Sequence, residues 1–142
     1  MELHPVLVHF PLVLLPLSAI LDLVARRLGK QDWHLLTYGI LILGTLGAAG
    51  AVLSGNDAAG EHRADPVVSH LIQQHEDWAT ASLFLFLVVA LGRLPFQLRR
   101  RDPLPWTLVA LVGSVLLWIA AHHGGELVYE HGVGVELSRG IE

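Results

Sequence analysis

The sequence predicts an all-α fold: an integral membrane four-helix bundle forming a single domain over residues 1–142. Three observations carry that expectation. The chain is 53% hydrophobic and only 15% charged, with a mean hydropathy of +0.54, a balance that belongs to a polytopic membrane protein rather than a soluble domain. Its apolar residues fall into four runs, each near the length that crosses a bilayer. Its basic residues gather in the two short connections on one side of those runs.

The first run, residues 5–25, is about 30 Å long as a helix, the thickness of the hydrocarbon layer. Pro5 suits a first helical turn, where a missing N–H costs nothing. Pro11 and Pro16 remove donors further in, so a kink or an irregular first turn is expected near His9. The second run, residues 35–54, follows Trp33 and closes at Ser54 and Gly55. Its Gly44, Gly47, Ala51 and Ser54 share one face, which lets another helix, a second copy of the chain in a homodimer, or a flat cofactor come close.

A polar connection, residues 56–77, comes next, and residues 66–77 are expected to form a short surface helix between helices two and three. The third span, residues 75–96, has the shortest apolar stretch and opens on His75. The fourth, residues 105–123, carries Trp106 at one end and Trp118 near the other, as interfacial anchoring predicts. Gly124 and Gly125 are expected to stop it, because glycine accepts the left-handed geometry of a helix end.

Four spans put both termini on one side. Seven of the nine basic residues (Arg26, Arg27, Lys30, Arg93, Arg99, Arg100 and Arg101) lie in the two short loops, leaving Arg63 and Arg139 opposite. The positive-inside rule then places those loops in the cytoplasm and both termini outside, in a bacterial inner membrane. The opening MELHPVLVHF has no basic n-region and no small-residue cleavage site follows, so it reads as the start of helix one rather than a signal peptide. No internal sequence repeat and no low-complexity tract is apparent.

Composition also excludes chemistries. The absence of cysteine removes disulfides, iron–sulfur clusters, thiolate zinc sites and cysteine-attached haem. A net charge of −4 leaves no electrostatic footprint for nucleic acid. Histidine fills the gap with nine copies. Folding the chain four times brings eight of them to the outer end: His4 and His9 at the start of helix one, His62 and His70 in the long loop, His75 at helix three, His122, His123 and His131 at the end. Only His34 is on the cytoplasmic side, and it reads as an ordinary interfacial residue beside Trp33.

Solvated end-capping accounts poorly for this asymmetry, since the cytoplasmic end has equal need of polar residues and uses arginine. His9, about four residues inside helix one, would be an unpaired polar ring in hydrocarbon, which usually marks function. Histidine without cysteine has three uses here. Two imidazoles from different helices can hold haem b iron axially within a four-helix bundle. Three with a carboxylate can bind zinc, copper or non-haem iron. Histidines beside Glu61, Glu76 and Glu126 can relay protons. His75 and Glu76 point about 100° apart on a helix, so Glu76 is better placed behind a ligand than as a second ligand. Ala79 and Ser82 below His75 leave room for a macrocycle, or for tight packing. No H-E-x-x-H pattern occurs, so a metalloprotease lacks its motif.

The N-terminal LHPVLVHFPLVLLP, the pairs Gly60–Glu61 and His75–Glu76, and the terminal GGELVYEHGVGV resemble a widespread, largely uncharacterised family of small bacterial four-helix membrane proteins. The resemblance covers essentially the whole chain, and its first and last motifs are specific. It singles out His4, Pro5, His9, Phe10 and Pro11, then Glu61, His75 and Glu76, then Gly125, Tyr129, His131 and Gly132. It leaves out His62, His70, His122 and His123. Relatives of this kind are sometimes fused to cytochrome c-like or Rieske-type domains, which implies an electron-transfer setting.

The expectation is therefore a membrane protein that binds haem b, or another redox metal, through some pair among His9, His75, His131 and His4, and passes electrons to membrane or periplasmic carriers. A quinone could dock nearby on Tyr129 and Glu126. The alternatives are a non-haem zinc, copper or iron site adding Glu61 or Glu76, for sensing, storage or transport, and a non-catalytic assembly subunit of a respiratory complex.

Overall fold

The computed structural model describes residues 4–59, 65–98 and 103–134, and every regular element among them is an α-helix. These are α1 (His4–Leu7), α2 (His9–Arg27), α3 (Trp33–Ala59), α4 (Pro66–Leu98) and α5 (Leu104–Tyr129). Helices α1 and α2 form one span, so four segments are long and apolar enough to cross a membrane. The lipid bilayer is their environment. Leucine, valine and tryptophan side chains such as Leu43, Leu91, Val115 and Trp118 stand exposed on the outer surface, where acyl chains rather than water meet them.

The chain folds as two antiparallel hairpins, α1–α2 with α3 and α4 with α5, which close on each other through α3 against α4 and α2 against α5. Leu15, Leu41, Phe86, Val89, Ala110 and Leu117 fill the centre. Lipid tails are as apolar as leucine, so close backbone approach supplies the packing. A methyl at Gly44 would stand 2.7 Å from Leu15 Cδ2, and one at Gly47 would stand 3.1 Å from Phe10 Cβ. At Gly44 and Gly47 the small face of α3 is thus packed against α2 of the same chain.

The irregularity expected near His9 falls at Val8, between α1 and α2. Pro11 has no N–H to give the Leu7 carbonyl, and the helical pattern lapses one residue later. The helix expected over residues 66–77 does form, but it continues without a break into the third span. That makes α4 the longest helix. At about 1.5 Å per residue it reaches roughly 50 Å, well past the hydrocarbon thickness. Its projecting turns are held by a second small core, in which Ile72 and Leu127 pack with Val68, Leu71 and Val133.

Gly124 and Gly125 do not stop α5, which runs on to Tyr129. The end is set by Gly132, with φ of +64° and its N–H on the Val128 carbonyl at 3.2 Å. Helix α2 ends in the same spirit at Gly29, also with φ of +64°, where the Gly29 and Lys30 N–H groups return to the Arg26 and Ala25 carbonyls.

Candidate functional site at the histidine end

Residues remote in sequence meet where α1 begins and α4, some two to three turns in, passes beside it. The rings of His4 and His75 lie with centroids 6.1 Å apart and planes at 89°. Each is fastened to the partner helix of its own hairpin. His4 Nδ1 donates to the Ala51 carbonyl at 2.8 Å, with Ser54 Oγ at 3.2 Å. His75 Nδ1 donates to the Ala120 carbonyl at 2.8 Å. Since a carbonyl oxygen only accepts, both rings carry a proton on Nδ1, and it is in the neutral form of each ring that Nε2 offers a lone pair.

Two glycines make room for these rings. A methyl at Gly55 would stand 2.9 Å from His4 Cε1, and one at Gly124 would stand 3.0 Å from His75 Cε1. Gly124 is therefore helical yet still special, its missing side chain being where an imidazole lies. His123 and Glu76 are near enough to His75 to act on its charge. The His123 Nδ1 is buried without a hydrogen-bond partner, 3.6 Å from Glu126 Oε2.

The remaining sequence candidates separate from this pair. His9 is exposed and donates from Nδ1 to the Pro5 carbonyl at 2.6 Å, so its ring is satisfied on its own helix. His131 is exposed beyond the end of α5 and groups with Glu126 and Glu130, one ligand atom of each lying within 4.8 Å of the others. Glu76 is half-buried on α4 beside His75. Glu61 and His62 lie outside the described residues. Tyr129 and Glu126 line a shallow cavity of about 400 Å³ with Ala121, His122, Gly125 and Glu130. Ser82, expected to leave room for a macrocycle, is buried and donates to the Gly113 carbonyl at 3.2 Å, so the small strip below His75 serves helix packing.

At the opposite end of the bundle, the fully buried Asp22 gathers donors from all four spans. Its Oδ1 accepts from His34 Nδ1 at 2.7 Å, Arg93 Nη2 at 3.0 Å and Thr37 Oγ1 at 3.2 Å. Its Oδ2 accepts from Thr107 Oγ1 and from Arg26 Nη2, the latter at 3.4 Å. His34 is therefore no ordinary interfacial residue; it closes a buried polar cluster.

A family model described as "Predicted membrane protein (DUF2231)" matches residues 1–137. The chain belongs to the DUF2231 family. The matched region takes in all four spans of this DUF2231 protein and both of its terminal motifs. No curated protein and no solved structure matches it. Asp22, Arg93, His34 and His123 are the residues of this DUF2231 chain that motif reading passed over. The signal for the first two was present, since an ionisable group inside an apolar run is costly enough to need a partner.

Proposed function

We propose that this protein is a multi-pass protein of the bacterial inner membrane, with both termini outside the cytoplasm, that holds a redox-active transition metal between His4 and His75 and serves electron transfer at the extracytoplasmic surface. One observation carries the reading: two imidazoles from different hairpins lie side by side, each with Nδ1–H committed to a backbone carbonyl. Donation of the other ring nitrogen to a carbonyl is the support that metal-bound histidines usually have, because it fixes the tautomer and aims Nε2 at the ion. A histidine that merely caps a helix end needs no such anchoring.

Imidazole donors without thiolate suit zinc, copper and iron. His123, near His75, would supply a further donor for a non-haem ion in a metal sensing, storage or transport role, with Glu76 behind His75 as a supporting partner. Iron in haem b would take the same two imidazoles, one from each hairpin, as its protein ligands. A periplasmic carrier, or a quinone in the cavity beside Tyr129 and Glu126, would be the redox partner.

The test is an absorption spectrum, oxidised and dithionite-reduced, with elemental analysis, of the protein purified in detergent from cells supplied with haem precursor and iron. A sharp reduced α-band of b type assigns a cytochrome, and one zinc, copper or iron per colourless chain assigns the non-haem site. His4→Ala and His75→Ala each remove the bound species. A chain that carries neither haem nor metal, or keeps either in both variants, overturns the proposal; co-purification of such a chain with a respiratory complex would identify an assembly subunit.

A further inference from the structure

The two hairpins share one pattern of buried and contacting positions along their central turns. A residue i of the first span corresponds to i + 71 in α4, and a residue j of α3 corresponds to j + 69 in α5. Under this rule the anchoring of His4 on Ala51 over Gly55 becomes the anchoring of His75 on Ala120 over Gly124, with each glycine four residues beyond the accepting alanine. Burial follows the same rule. Leu15, Ser18, Ala19 and Asp22 map onto Phe86, Val89, Ala90 and Arg93, and all eight are buried. Leu41, Thr45, Ala48 and Ala51 map onto Ala110, Ser114, Leu117 and Ala120, again all buried.

Close contacts and hydroxyl bonds are reproduced as well. Gly44 faces Leu15 as Gly113 faces Phe86. Thr45 Oγ1 donates to the Leu41 carbonyl at 2.8 Å, and Ser114 Oγ donates to the Ala110 carbonyl at 2.9 Å. The cross-hairpin contacts exchange in turn, α2 against α5 mapping onto α4 against α3. At the far end the mapped pair, Asp22 and Arg93, forms an ion pair at 3.0 Å. Equivalent residues that touch each other must lie beside the axis relating the two copies. The pairs His4–His75 and Asp22–Arg93 mark that axis at both ends of the bundle, and parallel repeats of this kind are related by an axis along the membrane normal.

We infer that the chain is a tandem duplication of one helical hairpin, and that His4 and His75, on the pseudo-two-fold axis, are the equivalent ligands of a single transition-metal ion. The ligand half rests on the metal reading above; the duplication does not. The halves have also diverged: beside the axis Ser54, which reaches His4, is matched by His123 near His75, and on the axis at the far end Asp22 is matched by Arg93. The axial imidazoles and their glycine slots are kept in both copies. A ligand held there meets two equivalent donors.

Zn²⁺ is titrated calorimetrically into the full chain, stripped of metal in detergent, alongside His4→Ala, His75→Ala, Gly55→Ala and Gly124→Ala, and each protein is melted without metal. Expected are one Zn²⁺ per chain and matched losses within each pair. Either histidine variant abolishes measurable binding. Either glycine variant, by pushing an imidazole off its carbonyl, weakens binding by roughly 10–100-fold, the usual effect of losing an outer-shell partner. Binding that survives one histidine substitution but not the other overturns the equivalent-ligand assignment and leaves the metal reading standing. A wild-type chain that takes up no Zn²⁺ overturns the ligand half. The duplication is read from the melts: matched falls in melting temperature for Gly55→Ala and Gly124→Ala support it, and a fall in one alone overturns it.

Discussion

Asp22 and Arg93 set the strongest constraint at the scale of single residues, because both side chains are fully buried and carry opposite charge. A buried ion pair does little for stability against a well-packed apolar pair, but breaking it strands a charge. Arg93→Leu is therefore expected to cost roughly 3–5 kcal/mol, while Asp22→Leu with Arg93→Leu lies closer to wild type than either single change. Unfolding in detergent followed by circular dichroism checks this, and a double variant no better than the worse single one would mean that His34, Thr37 and Thr107 depend on the carboxylate itself. Gly29 makes a smaller demand. It has φ of +64° with nothing near its Cα side, so Gly29→Ala meets backbone cost alone. About 1–2 kcal/mol is expected, less for Gly29→Asn, in the same unfolding measurement.

At the scale of elements, Gly92 and Trp106 show how one helix admits another. A methyl at Gly92 would run into the Trp106 ring, so Gly92→Ala forces the indole or the helix to move. Overpacking of this kind costs about 1–3 kcal/mol, and Trp106→Leu in the same chain should recover most of it; a Gly92→Ala variant that melts like wild type would show that the indole swings aside freely. The four spans were legible in the sequence because length and hydropathy suffice to define them, and the break near His9 because Pro11 removes a donor wherever it sits. The ends of α4 and α5 were not legible. Gly124 carries a stop signal in isolation, but in the bundle His75 fills the space above it and α4 packs alongside, so the helix continues until Gly132, where the backbone itself turns left-handed. The surface helix and third span merged for a like reason, since Ile72 finds Leu127 across the hairpin.

For the whole molecule, the gathering of histidines at one end followed from counting spans, whereas the pairing of His4 with His75 did not, because it depends on which helices adjoin. The duplication was hidden for a related reason: its signature lies in burial and backbone contact, while lipid-facing positions tolerate almost any apolar residue and erase identity. What the topology does predict is which end faces outward. The chain contains no cysteine, so a single introduced thiol reports its own side. His70 is exposed on the projecting turns of α4, and Arg27 is exposed at the opposite end of the bundle. On the proposed orientation, in which the positive-inside rule puts the arginine- and lysine-bearing loops in the cytoplasm, His70→Cys should react with a membrane-impermeant maleimide in intact cells, and Arg27→Cys should react only after lysis. The reverse pattern would turn the imidazole pair toward the cytoplasm, where its redox partners would have to be soluble cytoplasmic proteins rather than periplasmic carriers. Labelling of both in intact cells would mean that the chain inserts in two orientations, which the symmetry of its two hairpins about the membrane normal does not require.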